Sequence, residues 1–334
     1  MQTSSAQPAS VPVDLAPDNV LDAPPIEPAA LAPLLADQLA RVVRGKPEAI
    51  RLSLVALLSG GHLLLEDVPG VGKTLLAKAL ARSIGGSFRR VQGTPDLLPS
   101  ELTGVSVLDA GRQGWEFRPG PLFANVVLVD EVNRATPRTQ SALLEAMEER
   151  QVTVDGITHA LPAPFFLVAT QNPFEHVGTF PLVEGQRDRF AVVVQMGHPD
   201  RATERDLLLG HGGDDELARL GPVTDADGLA HAIRLVRRVH CEPAVADYVV
   251  AIAEGTRDDP AITIGASPRA SLALLHAARA AAVLAERTFV TPDDVKSVAA
   301  PVLAHRLILL DGPDLGAATA IVRRLLDSVA VPSR

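Results

Sequence analysis

A chain of 334 residues, 47% hydrophobic and 21% charged, holds enough apolar material for two separate cores, which excludes a wholly disordered protein. Its formal net charge of −9 has the wrong sign for a surface built chiefly to hold a phosphate backbone, which argues against nucleic acid as the main ligand. The single cysteine, Cys241, excludes an internal disulfide and a cysteine metal cage, and there is neither a basic, apolar leader nor an apolar run of about eighteen residues; a cytoplasmic protein with no membrane insertion is expected.

Residues 1–40 carry no Lys or Arg and hold Pro8, Pro12, Pro17, Pro24, Pro25, Pro28 and Pro33 among Ala, Ser and Asp. That composition predicts a disordered acidic tail over residues 1–38, since it offers little apolar surface to offset the entropy of ordering. From Val42 to His198 short apolar runs alternate with helical patterns. Leu63–Leu65, Val126–Val129, Phe165–Ala169 and Val192–Val194 are too short for helices and apolar at consecutive positions, as strands buried on both faces should be. An α/β fold follows, a parallel sheet sandwiched by helices.

The first of these strands runs into Glu66-Asp67-Val68-Pro69-Gly70-Val71-Gly72-Lys73-Thr74, a Gly-rich loop that ends in Lys-Thr and opens a helix. Gly70 and Gly72 let the backbone turn its N–H groups toward a triphosphate, and the helix adds the positive end of its dipole. Pro69, Gly70, Val71, Gly72, Lys73, Thr74 and Leu75 are therefore the expected binding loop for ATP. Lys73 is expected on the β- and γ-phosphates and the Thr74 hydroxyl on Mg²⁺. Asp67 stands where the pattern G-x-x-x-x-G-K-[ST] has its first glycine. A carboxylate aimed at phosphate is repelled, so this side chain is expected to face away, with Pro69-Gly70 making the turn.

About fifty residues on, Val126-Val127-Leu128-Val129 ends in Asp130-Glu131. A strand end places Asp130 where it holds Mg²⁺ through water, and Glu131 where it polarises a water in line with the γ-phosphate. Thr136-Pro137 then caps a helix reaching about Arg150, and Asp155-Gly156 centres a hairpin over Gln151–Leu161. The next strand ends at Gln171-Asn172-Pro173, where the Asn172 amide, a donor and an acceptor without charge, suits the positioning of the attacking water. After His198-Pro199 the pattern turns helical almost throughout, with starts at Ser267-Pro268-Arg269 and Thr291-Pro292-Asp293-Asp294 and a connection over 214–226. A domain boundary is expected near 199–202.

The three motifs in this order, with Glu-Asp-Val-Pro-Gly-Val-Gly-Lys-Thr, Val-Asp-Glu-Val-Asn-Arg-Ala and Ala-Thr-Gln-Asn-Pro, resemble the MoxR family of AAA+ ATPases over roughly residues 40–325. The resemblance implies an AAA+ P-loop NTPase core over 39–200 and a smaller all-α lid domain over 201–334. It also implies an insert in the helix after the second strand, near 103–118 where Gly104, Gly111 and Gly114 interrupt any helix, and a hairpin at 151–161 before the sensor strand. Family members form rings, commonly hexamers, so a homo-oligomer is expected. In Gln186-Arg187-Asp188-Arg189-Phe190 the resemblance makes Arg189 the finger that reaches a neighbour's γ-phosphate, with Arg187 a second candidate. It makes Arg269 the second sensor on the lid; a cation is disfavoured at a helix start, which points to an anionic partner. Trp115 and Phe117 lie in the insert and face a pore or a client, or pack beneath it.

The implied activity is ATP hydrolysis that remodels a client protein for assembly, activation or metal or cofactor insertion, with a von Willebrand factor A domain protein as partner. Two other functions remain open from sequence. A DNA-associated motor is weakened by the net charge, and a non-hydrolysing nucleotide switch by intact Lys73, Asp130, Glu131 and Asn172.

Overall fold

The computed structural model describes residues 27–68, 70–109, 114–172, 178–210 and 212–332. Two helices lead in, α1 (Pro28–Val42) and α2 (Pro47–Leu58), followed by β1 (Leu63–Glu66), α3 (Lys73–Ser83), β2 (Phe88–Gln92) and the short α4 (Pro99–Thr103). The chain then forms β3 (Gly104–Asp109), β4 (Gly114–Pro119), β5 (Val126–Asp130) and α5 (Pro137–Glu149). A hairpin of β6 (Gln151–Val154) and β7 (Ile157–Ala160) precedes β8 (Phe166–Gln171), α6 (Glu184–Arg187) and β9 (Val192–Val194).

Five strands make one parallel sheet in the order β2-β5-β8-β1-β9. Successive side chains feed two buried clusters. Leu63, Leu65, Val126, Leu128, Phe166 and Val168 pack with α1, α2 and α3, while Leu64, Val127, Val129, Leu167 and Ala169 pack with α4 and α5. Helices on both faces explain why these strands read as unbroken apolar runs, and each fully buried Val or Leu contributes roughly 1.5–3 kcal/mol. The fifth strand, β2, escaped that pattern because only Phe88 and Val91 are buried while Arg90 and Gln92 are exposed; β9, at the opposite edge, is buried throughout. The carboxyl ends of β1, β5 and β8 lie side by side, where ligands bind in such sheets.

Three expectations are corrected. The tail expected over 1–38 does not reach residue 38. Pro28 opens α1, and Leu31, Leu35, Leu39 and Val42, at helical spacing, are fully buried against the core; residues 1–26 lie outside the described residues. The insert is not carried within a helix. After α4, β3 and β4 pair as an antiparallel hairpin, with Val105 opposite Arg118 and Leu108 opposite Trp115, because the sequence alternates with period two. Gly104 enters it at φ 94°, and a Cβ there would meet the Arg118 carbonyl oxygen at 2.3 Å. Gly111 lies outside the described residues. In the second hairpin Asp155 (φ 51°) and Gly156 (φ 79°) form the expected tight turn.

The later part of the chain holds α7 (Arg201–Leu208), α8 (Asp214–Arg219), α9 (Ala226–Val236), α10 (Pro243–Asp258), β10 (Ile262–Ile264), α11 (Pro268–Leu284), α12 (Pro292–Leu303), β11 (Ile308–Leu309) and α13 (Leu315–Ser328). The third correction is α8, which occupies the expected connection and buries Leu217; flanking Gly213 and Pro222 hid it. β10 and β11 add one small antiparallel ribbon to the otherwise helical region. Ser267 caps α11 by accepting from Ala270 N–H, and Thr291 and Asp294 form a capping box on α12. Past α12, Arg306 is almost fully buried and donates to the Asp188 carboxylate (2.8 Å) and the Phe190 carbonyl (2.8 Å), fastening this region to the turn that follows α6.

Candidate functional site

The loop from β1 to α3 has the conformation its glycines permit. Gly70 (φ 85°) and Gly72 (φ 96°) lie in the left-handed region, and Gly72 is the N-cap of α3 without a side-chain cap, which leaves the first N–H groups of α3 to an anion. Lys73 Nζ donates to the Asp67 carbonyl at 2.6 Å. Desolvation lowers the Lys73 pKa from its ordinary value, against the opposing pull of Asp67, Asp130 and Glu131. The Asp67 carboxylate accepts from its neighbour Val68 N–H at 2.8 Å and from Gly197 N–H. The acid at the first loop position is thus bonded to two backbone donors, which removes it from competition for phosphate donors.

Around this loop lies a cleft of about 430 Å³. Gly70, Gly72, Lys73, Thr74, Leu75, Asp130, Glu131 and Asn172 all line it, so residues from three separate motifs meet at one place. Val71 instead packs against the core, and Pro69 lies outside the described residues. Asp130 accepts from Arg90 Nε at 2.6 Å and from the Thr170 hydroxyl at 3.3 Å. Glu131 has a left-handed backbone (φ 55°), uncommon for a non-glycine residue; its N–H donates to the Thr170 oxygen at 2.9 Å. Its carboxylate accepts from Gln92 Nε2 (2.9 Å) and an Arg134 nitrogen (3.2 Å). Arg90, Gln92 and Thr170 were absent from the expected set. The period-two spacing of Arg90 and Gln92, beside Val91, was the signal available for the first two.

Among the described residues no cluster of three or more His, Cys, Asp or Glu could hold a metal ion on its own. Thr74 and Asp130 supply one hydroxyl and one carboxylate, which fits Mg²⁺, a cation that takes few protein oxygens and completes its shell with water and phosphate.

Three arginine candidates are placed elsewhere. Arg187 turns inward to Glu66 at 3.0 Å, at the end of β1; burial pushes the Glu66 carboxyl up, while Arg187 and the Gln171 amide oppose that. Arg189 and Arg269 meet at a second cavity of about 310 Å³, which does not share their lining with the cleft. Both donate to Glu148, Arg189 at 2.8 Å. Arg150, Arg237 and Arg306 also line this cavity, so five guanidiniums stand there against two carboxylates, Glu148 and Asp188. Glu148 had no signal in the sequence.

The matches to known proteins follow this geometry. The family model "ATPase family associated with various cellular activities (AAA)" matches residues 62–192, and the "AAA lid domain" model matches residues 254–325. The chain is 47% identical over 307 residues to the uncharacterized protein YeaC of Bacillus subtilis, covering 90% of this chain and 96% of that one. It is 39% identical over 303 residues to the chaperone MoxR1 of Mycobacterium tuberculosis, covering 87% and 80%. The crystal structure of a putative ATPase from Cytophaga hutchinsonii superposes with a TM-score of 0.83 at 32% identity, covering 92% and 96%. Among the described residues no helix is long and apolar enough to cross a membrane.

Proposed function

The chain belongs to the MoxR family of AAA+ ATPases, and on that premise we propose that it binds and hydrolyses ATP at sites shared between copies of itself in a ring, using the energy to remodel a client protein. The observation that carries this reading is the separation of two half-sites on one protomer. The cleft has a phosphate loop and the acids Asp130 and Glu131, and the cavity has five guanidiniums against only two carboxylates.

In this reading Lys73 and the N–H groups of α3 hold the β- and γ-phosphates. Thr74 and Asp130 would hold Mg²⁺, which would supply positive charge to the phosphate oxygens. Glu131 takes a proton from the attacking water, and Asn172 orients that water. Gln92 and Arg134 hold the Glu131 carboxylate in place at the end of β5. Arg189 and Arg269 enter the neighbour's cleft and stabilise charge in transit; a guanidinium in that role is worth about 10³–10⁵ in rate. Arg187 is paired with a buried carboxylate, Glu66, whereas the partner of Arg189, Glu148, is partly exposed, which favours Arg189 as the finger. The hairpin of β3 and β4, with Trp115 and Leu108 exposed, offers the surface that touches a client, and a von Willebrand factor A domain protein is the partner we propose.

Lys73→Ala and Arg189→Ala, each prepared separately, are expected to hydrolyse little ATP. Mixed in equal amounts under conditions of subunit exchange they regain turnover, since some interfaces then pair an intact Lys73 with an intact Arg189. Phosphate release measures it. Full activity of Arg189→Ala alone, or no recovery on mixing, refutes the shared site.

A further inference from the structure

Glu148, on the last turn of α5, serves two guanidiniums at once. One carboxylate oxygen accepts from Arg189 Nε at 2.8 Å and the other from Arg269. The bonds from Arg269 and Arg189 hold its carboxyl below the usual carboxylate range. Asp188 does not replace it: one Asp188 oxygen accepts from Arg306 at 2.8 Å, and Arg269 stands 4.0 Å from the other. Glu148 therefore ties together α5, the turn after α6 and the first turn of α11. It also offsets the unfavourable placement of Arg269 at a helix N-terminus.

A γ-phosphate presents the same chemistry as this carboxylate, anionic oxygens that accept from a guanidinium fork. The same N–H donors cannot serve both at full strength, and a carboxylate beside a phosphate is repelled. The exchange needs no unpacking of the core, because the side chains of Glu148, Arg189 and Arg269 are 30%, 31% and 53% exposed.

We propose that Glu148 is a positioning residue that stands in for phosphate: it gathers Arg189 and Arg269 in the nucleotide-free protomer and releases them when a neighbouring copy presents ATP. The proposal rests on the reading of Arg189 and Arg269 as groups acting across a subunit interface. Its consequence is a competition. The contact of α11 with α5 and the nucleotide-bearing interface draw on one pair of arginines, so forming the interface frees α11 from α5.

The test uses the full chain and a non-hydrolysable ATP analogue with Mg²⁺, following assembly by sedimentation and amide hydrogen exchange in the first turn of α11. Glu148→Gln keeps the shape and removes the charge. It is expected to assemble at an analogue concentration about threefold to tenfold lower than the parent, the range two exposed ion pairs allow. Without nucleotide, its α11 amides exchange faster than the parent's. Glu148→Asp, which keeps the charge, stays nearer the parent than Glu148→Gln. An unchanged or raised assembly midpoint in Glu148→Gln overturns the proposal. Arg189→Ala and Arg269→Ala in parallel separate the two claims: parental turnover in both sinks the interface reading itself. If instead they lose turnover while Glu148→Gln assembles no more readily, only the role of Glu148 falls.

Discussion

In the P-loop cleft the functional groups stand on one loop and at the ends of adjacent parallel strands, whereas the second cavity takes its arginines from five separate places: Arg150 after α5, Arg189 after α6, Arg237 after α9, Arg269 on α11 and Arg306 after α12. The cleft is balanced internally, its acids paired with Arg90, Gln92 and Arg134. The cavity is not, for five cations there face two acids. A site that is complete by itself binds its ligand alone, while an unbalanced one calls for charge from outside. The difference fits the proposed division of labour, in which the cleft binds nucleotide and moves the proton and the cavity of a neighbour supplies transition-state charge.

The largest effect that sharpens this comparison is Glu131→Gln. Turnover is expected to fall by about 10²–10⁴, the range for loss of a general base, while ATP binding persists because the phosphate loop is untouched. Single-turnover phosphate release and calorimetric titration separate the two quantities. Parental turnover in this variant breaks the assignment of proton transfer to the cleft.

Next in size is Arg306→Ala. This arginine is buried, and burial lowers its pKa despite the pull of Asp188. Its removal takes the nearest cation from the Asp188 carboxylate, leaving Arg269 at 4.0 Å, and leaves the Phe190 carbonyl to His305, at a cost of about 3 kcal/mol. Urea unfolding reads that loss. Nucleotide affinity in what remains folded should change little, since Arg306 does not line the cleft; an affinity loss as large as the stability loss means that the two sites are one unit.

The same comparison explains what the sequence made legible. Four strands were readable because each is buried on both faces, and the cleft was readable because its groups sit within a few residues of those strands. β2 was not, since only Phe88 and Val91 are buried along it and its Arg89 and Arg90 look like a solvated run. The helix of residues 28–38 was hidden by proline-rich composition, although Leu31, Leu35 and Leu39 already carried the helical period. Glu148 had no local signature at all. It lies in Glu148-Glu149-Arg150, an ordinary charged helix end, and only the tertiary fold brings α11 and the turn after α6 to it.

The smallest effect concerns acid. His62 forms part of the cavity wall, where its Nε2 lies 3.1 Å from the Met147 carbonyl, beside Glu148, and its Nδ1 accepts from Leu167 N–H at 3.0 Å. These partners demand the neutral ring with its proton on Nε2. Burial, helped by the Arg150 charge and opposed by the Met147 bond, lowers its pKa from 6.5 to about 4. Above pH 6.5 neither folded nor unfolded chain protonates it, so its stability is fully present. As pH falls toward 4 the unfolded chain takes up a proton that the folded chain refuses, and about 3 kcal/mol is lost. His62→Gln, whose amide keeps one donor and one acceptor, should show a shallower fall in Tm between pH 6.5 and 4 than the parent. Identical slopes mean that the folded ring is not held neutral. His305, likewise buried and lowered, sits 3.0 Å from the Phe190 carbonyl, which also accepts from Arg306 of the cavity wall, and among the described residues no histidine lines the cleft. Under the proposed interface role of the cavity, mild acid should weaken ATP-driven assembly before it weakens ATP binding by the protomer, and the reverse order means that the arginine cavity is not the part that reads a neighbour.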